Sequence, residues 1–213
     1  KSSDDEIEKT IKILDNLRDS VTIQMLPLYI NSNISLPESW GQYTEVHTDS
    51  TIENSLISRW QLAFQFLKVH SEIEQAALIY PDASLCNNPF QHLNPSKLYV
   101  GDEAVDLSHA GFFSKEIPSV EKFWQLNPRL QLLNPGVIVG CRTPLLEIMS
   151  AMLIFIKDHL TEEMQANFNV YNEREIFNYL MYRYFAQRMV HGRKVTTIYG
   201  FQQQKTRSWF KYH

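Results

Sequence analysis

Apolar positions along the chain alternate between long windows with helical spacing and short unbroken runs. Ser3-Asp4-Asp5-Glu6 has the form of a capping box, and Ile7, Ile11, Leu14 and Leu17 follow on one face, which predicts an amphipathic helix from Asp4 to Asp19. Val21 to Ile30 is β-rich, and Asn31 to Thr51 is polar, carries Pro37 and Gly41, and reads as a long loop. Glu53 to His70 predicts a second helix with Leu56, Trp60, Ala63 and Leu67 inward. Ala76 to Tyr80 is wholly apolar and is closed by Pro81-Asp82, the pattern of a buried strand that delivers a loop at its carboxyl end.

The second half repeats this grammar. Leu98 to Val100 and Gly136 to Gly140 predict two further strands. Thr143-Pro144 predicts a helix start, with Thr as N-cap and Pro at the first helical position, and Leu145, Ile148, Met149, Met152 and Ile156 form its apolar face. Glu173 to Gln187 predicts another helix with Ile176, Phe177, Leu180 and Tyr184 inward, and Val195 to Tyr199 a late strand. The tail from Gln202 to His213 is polar, basic and aromatic. Strands alternating with helices imply an α/β fold with a mixed, mainly parallel sheet flanked by helices.

Composition narrows the function classes. A chain of 213 residues, 44% hydrophobic and 21% charged, suits a single domain over 1–213, either whole or the first domain of a longer protein. A net charge of −4 argues against duplex-DNA binding, and no nucleic-acid partner is expected. The richest apolar stretch, Leu145 to Ile156, is broken by Glu147 and Ser150 and falls short of the roughly 20 residues that span a bilayer. Two cysteines, Cys86 and Cys141, fit an intracellular protein, so a cytoplasmic location is expected. Asn33-Ile34-Ser35 has the form of a glycosylation sequon, read as chance in that setting.

Candidate chemistry centres on Asp82. Ligands of open α/β sheets gather beyond the carboxyl ends of strands, and Mn²⁺ or Mg²⁺ takes carboxylate oxygens, waters and substrate phosphates. The plain alternative is a turn in which Asp82 caps a backbone N–H. Arg59 lies on a helix expected to face Asp82, where it would grip a diphosphate or remain a solvated helix charge. Asn134 and Gly136 either contact a sugar or make an ordinary turn into a strand. Asp102-Glu103 lines an acceptor cleft or forms a charged loop, and His191-Gly192-Arg193-Lys194 reads as a solvated connector. Trp40, Tyr43 and His47 in the long loop would stack on a sugar or base, or pack the loop.

Tyr80-Pro81-Asp82-Ala83-Ser84-Leu85 resembles the strand-end Asp-x-Asp motif of GT-A glycosyltransferases, and Asn88-Pro89-Phe90 is similar to the segment that trails it. Leu133-Asn134-Pro135-Gly136-Val137-Ile138-Val139-Gly140 resembles that family's sugar-site strand. Asn172-Glu173-Arg174-Glu175-Ile176-Phe177-Asn178 is similar to its later helix start, and Trp209-Phe210-Lys211-Tyr212-His213 to its closing C-terminal element. The ordered set runs from about Trp60 to His213. The whole chain is more loosely similar to a glycosyltransferase domain of large algal viruses, the chloroviruses, which implies a capsid glycan built in host cytoplasm.

The resemblance implies a GT-A-like fold and Mn²⁺ or Mg²⁺ held by Asp82, Ser84 and His213. It implies a UDP-sugar donor contacted by Arg59, Ser84, Asn134, Gly136 and Lys211, and Glu173 as the catalytic carboxylate, with Glu175 as fallback. The partners would be a nucleotide-sugar and a glycan or glycoprotein acceptor. Ser84 stands where the family's second acid belongs, a weaker, neutral ligand that binds Mg²⁺ directly or holds a ligating water; in another register Asp82 is the motif's last acid and Ile79 replaces the earlier one. The expected function is metal-dependent transfer of a hexose or deoxyhexose to a glycan hydroxyl. The alternative is a non-catalytic nucleotide-sugar or glycan-binding module, and a third reading, a metal-dependent phosphohydrolase or nucleotidyltransferase, needs a second acid near Asp82 that the neighbouring sequence lacks.

Overall fold

In the computed structural model the described residues are 26–28, 43–45, 55–80, 83–110, 117–197 and 208–212. The expected helix from Asp4 to Asp19 lies outside them, as do Trp40, His47, Asp82 and His213. Two short strands, β1 (Leu26–Leu28) and β2 (Tyr43–Glu45), pair in parallel. The first of these falls in the stretch read as β-rich; the second falls in the stretch read as loop.

Helix α1 (Ser55–Val69) buries Ile57, Trp60, Leu62, Phe66 and Leu67. It is followed by β3 (Gln75–Ile79), β4 (Ala83–Leu85) and β5 (Leu98–Asp106). Helix α2 (Pro118–Leu126), which the periodicity did not announce, starts on a proline and buries Val120 and Trp124. Strand β6 (Gln131–Cys141) is buried through its whole interior, leaving only its two end residues partly exposed.

Helix α3 (Arg142–His159) follows directly, with Leu145, Ile148, Met149, Met152 and Ile156 buried as expected. Its N-cap is Cys141, which makes no side-chain cap bond, so Thr143 is already inside the helix rather than at its cap. A fully buried aliphatic side chain contributes about 1.5–3 kcal/mol, whereas a cap contributes about 1. The apolar face therefore holds α3 in place without a cap. Arg142 donates from Nε to the Leu67 carbonyl (2.8 Å) and from Nη2 to that of Lys68 (3.1 Å), closing the last turn of α1.

The remaining elements are α4 (Glu162–Ala166), α5 (Val170–Tyr184), β7 (Met189–Val190), β8 (Thr196–Thr197) and β9 (Phe210–Tyr212). Helix α5 begins three residues before the expected Glu173, because the Asn169 side chain accepts from the Tyr171 and Asn172 N–H groups while Asn172 answers the Asn169 N–H. Tyr184, expected inward, is 62% exposed at the helix end.

The fold is α/β with a mixed four-stranded sheet in the order β3-β6-β5-β7. Strands β3, β5 and β7 run the same way, and β6 runs against them, so both of its ladders are antiparallel. Leu98, Val100 and Ile138 join the cluster built with α1, α3 and α5. Tyr99, Val137 and Val139 join a second cluster with Ala83, Val195, Trp209, Phe210 and Tyr212. Alternation across the pleat thus sends successive residues of β5 and β6 to two different cores. The second core lies under a small sheet ordered β4-β9-β8, so the aromatic tail residues are buried rather than displayed.

Candidate functional site

The Asn169 cap fixes where α5 starts and so puts Glu173 in its first turn, where helix N–H groups favour a carboxylate. Glu173 is wholly buried. Its Oε1 accepts from Trp60 Nε1 at 2.6 Å and from Arg59 Nη1 at 3.2 Å, and its Oε2 accepts from the Tyr80 hydroxyl. Arg59 also donates from Nη2 to the Pro135 carbonyl (3.0 Å), and its guanidinium carbon sits 3.9 Å from the Tyr80 ring centroid. The cluster therefore ties together α1, the end of β3, the middle of β6 and the start of α5. Burial, opposed by the Arg59 charge and reinforced by Glu173, pushes the Tyr80 phenol well above its usual range, so it stays a donor.

The level of β6 that meets Tyr80 is built around Gly136. Tyr80 N–H donates to the Gly136 carbonyl (2.7 Å), and a Cβ on Gly136 would lie 2.7 Å from Tyr80 Cδ2 and 2.9 Å from Asn134 Oδ1. Glycine is required here for close approach. Asn134 Oδ1 accepts the Gly136 N–H at 2.8 Å, and its Nδ2 donates to Glu103 Oε1 at 2.7 Å. Glu103 also pairs with Arg174 at 3.5 Å. Asn134 itself is buried.

The small sheet brings the C-terminal tail to the same end of β3. Its register opposes Ala83 to Tyr212, Ser84 to Lys211 and Leu85 to Phe210. Ala83 N–H donates to the Tyr80 carbonyl at 3.0 Å. On the neighbouring strand, a Cβ on Gly101 would fall 2.2 Å from the Tyr212 hydroxyl and 3.2 Å from Thr196 and Val137. Gly101 and Gly136 thus admit one tyrosine each to adjoining strands.

A second polar cluster flanks Gly101. The Asp102 carboxylate accepts from Thr196 Oγ1 (3.0 Å) and pairs with His191 Nδ1 (3.1 Å), while the Asp102 N–H donates to Thr196 Oγ1 at 3.2 Å. The Asp102 side chain is 11% exposed and that of His191 32%. Gly192 follows with φ of +97°, a turn conformation that suits glycine.

The residues singled out in the sequence are distributed as follows. Arg59, Glu173, Asn134 and Gly136 converge on one level of the sheet, around Tyr80 and Pro135. Ser84 and Lys211 are opposed in the adjoining small sheet. Asp82 and His213 lie outside the described residues. Glu173 was expected to meet a substrate; its oxygens instead are enclosed and accept from Arg59, Trp60 and Tyr80. Arg59 was expected to face a diphosphate and instead engages Glu173 and the Pro135 carbonyl. Glu175 is buried as well. Among the described residues no group of three His, Cys, Asp or Glu could hold a metal ion.

Sequence reasoning did not assign Tyr80 or Trp60 a polar role in the site, and it placed Asp102 beside an acceptor cleft without its partner His191. Tyr80 and Trp60 were counted as core by their apolar neighbours, although each carries a polar atom that needs a partner when buried. His191 was read as solvated because its partner lies far away along the chain, in β5.

No protein-family model and no curated protein sequence matches the chain. Among solved structures it is similar to one described as "crystal structure of a glycosyltransferase involved in the glycosylation of the major capsid of PBCV-1", at 14% identity, over 80% of this chain and 76% of that one, with a TM-score of 0.43. No helix among the described residues is long and apolar enough to cross a membrane.

Proposed function

We propose that this chain is a GT-A-like glycosyltransferase that moves a hexose or deoxyhexose from a UDP-sugar to a glycan hydroxyl, with Mn²⁺ or Mg²⁺ held through Asp82. One observation carries the reading: Ala83 is opposed to Tyr212 in the β4–β9 ladder. Asp82 precedes Ala83 in the chain and His213 follows Tyr212. The two positions assigned to the metal on the family pattern are therefore chain neighbours of one opposed pair, although 130 residues of chain intervene between them.

The donor set suits the ion. A carboxylate from Asp82, a hydroxyl from Ser84, an imidazole from His213 and the oxygens of a diphosphate form the mixed, oxygen-rich shell that Mn²⁺ and Mg²⁺ accept. Bound there, the ion would neutralise charge that develops on the departing diphosphate. Lys211, opposed to Ser84, supplies a second positive charge at that end of the sheet. Asn134 and Gly136 form the floor for the sugar, next to the bulge where the β5–β6 register shifts between Val100 and Gly101. Glu173 and Arg59 hold the Tyr80 side chain, two residues before Asp82 in the chain, and Trp60 shares the Glu173 carboxylate. Glu173 is in this reading a positioning residue that does not touch the donor.

Isothermal titration with UDP and GDP, with and without Mn²⁺, tests the proposal. Expected is UDP binding that needs Mn²⁺ and disappears in Asp82→Ala, with weaker response to GDP. Metal-independent binding of glycan without UDP binding would replace this reading with a binding module. Absence of both would end it.

A further inference from the structure

We propose that Asp102 and His191 form a proton-accepting dyad that activates the acceptor hydroxyl, so that the acceptor subsite lies over β5 on the side of Asn134 away from Tyr80. The inference rests on the glycosyl-transfer reading above and names the group that reading left without a base, since Glu173 is enclosed.

The hydrogen bonds fix the protonation pattern. Thr196 Oγ1 accepts the Asp102 N–H, so its own hydrogen is directed to Asp102 Oδ1. An ionised carboxylate only accepts, and Oδ2 therefore takes a hydrogen from His191 Nδ1. In the neutral imidazole this leaves the lone pair on Nε2. The side chain of His191 is 32% exposed, and the carboxylate that orients it is 11% exposed. A buried acid that orients the inner nitrogen of a solvent-reaching histidine has the form of a general base. Tyr182 on α5 feels the same carboxylate: burial first and Asp102 second push its phenol upward, so it adds no competing negative charge. Arg193 and Lys194 follow His191 in the same turn, and Lys194 lies over the Tyr99 and Trp209 rings at 5.4 and 5.0 Å.

The placement matches the chemistry. Tyr80 meets Gly136 on one side of β6, and Gly101 is opposed to Asn134 on the other. Adjacent strands lie about 4.8 Å apart, so the backbones of Tyr80 and Asp102 flank the Asn134–Gly136 floor at about 10 Å. The dyad thus stands across β6 from the end of β3, where the glycosyl-transfer reading puts the donor diphosphate. In the step, the acceptor O–H gives its proton to His191 Nε2 as its oxygen bonds to the anomeric carbon. The bond from that carbon to the diphosphate oxygen breaks, and the electron pair leaves on UDP. The imidazolium so formed is stabilised by Asp102.

The test uses water as the acceptor and UDP-glucose as the donor probe, on the full chain with Mn²⁺, following release of UDP. His191→Gln is expected to keep UDP affinity by titration within about twofold and to lose about 100-fold or more in release rate, the usual worth of a positioned base. His191→Ala is expected to regain rate on addition of imidazole, which a merely structural histidine would not show. Nitrogen NMR of the His191 ring is expected to report the Nδ1–H form in the wild type and to lose that preference in Asp102→Asn. UDP release by His191→Gln within threefold of wild type, no rescue by imidazole, or an Nε2–H ring in the wild type would each overturn the dyad while leaving UDP binding intact. Loss of Mn²⁺-dependent UDP binding in the wild type would instead overturn the glycosyl-transfer reading on which the dyad stands.

Discussion

Replacing Glu173 tests the keystone of the site by stability rather than activity. The Glu173 carboxylate is 1% exposed and serves Trp60 Nε1, Arg59 Nη1 and the Tyr80 hydroxyl, with Arg59 itself 12% exposed. Glu173→Ala removes the acceptor of two buried neutral donors and one partner of a largely buried ion pair. Breaking such a pair costs about 3–5 kcal/mol, a large share of the roughly 5–15 kcal/mol that holds an ordinary domain folded. Glu173→Gln keeps an oxygen for Trp60 and Arg59 and offers an amide to the Tyr80 oxygen, which can accept instead of donate. Its cost reduces to the difference between charged and neutral hydrogen bonds, about 1–2 kcal/mol. Urea unfolding followed by fluorescence measures both, and the double substitution with Arg59→Met gives their coupling, expected at about 1–3 kcal/mol. Equal losses below about 0.5 kcal/mol for Ala and Gln, or zero coupling to Arg59, would refute the account of Glu173 as a charged hub.

Other outcomes follow from neighbouring contacts. Tyr80→Phe keeps the ring over Arg59 and removes a donor from Glu173, and is expected to lower stability by about 1–3 kcal/mol in thermal unfolding. In an alkaline titration read by phenolate absorbance, Tyr80 is expected to stay protonated past its ordinary value of 10.0. A raised folded-state value gives stability that is complete below pH 10 and lost as pH rises beyond it; a Tyr80→Phe protein that loses stability just as steeply above that pH would contradict this. Gly101→Ala would drive a Cβ to within 2.2 Å of the Tyr212 hydroxyl, and is expected to cost about 1–3 kcal/mol and to increase hydrogen exchange in β9. Asp106 is held at about 2 by bonds from Ser108 and then His109, so a carboxyl NMR titration should find it ionised down to that pH; the stability it contributes is present above the ordinary 3.8 and fades as pH falls towards 2.

The elements with the strongest periodicity were legible before any coordinates. The helices holding Trp60, Ile148 and Phe177, and the strands at Ala76, Leu98 and Gly136, are all present, since a continuous apolar stripe or run has few other ways to be buried. Boundaries were less legible where a single polar side chain decides them, as Asn169 does for α5. The tail misled because its polar and basic residues dilute Trp209, Phe210 and Tyr212, which are buried only when β4 and β8 pair on either side. Nothing local to the tail specifies those two partners.

The candidate site shows the same division. Asn134, Gly136 and Glu173 were singled out by a family-like pattern and Arg59 by the face of its helix, but the direction each side chain takes was not legible. A glutamate at a helix start reads the same whether it faces solvent or core. The difference lies in Trp60 and Tyr80, 113 and 93 residues away, whose polar atoms require an acceptor once their rings are buried. With Glu173 taken up by that demand, the glycosyl-transfer reading looks for its base elsewhere on the same level of the sheet. Across β6 from Tyr80, Asp102 and His191 offer an oriented imidazole nearer to solvent. On the glycosyl-transfer reading the two clusters divide the work: the enclosed one holds Tyr80 in place, and the open one takes the proton.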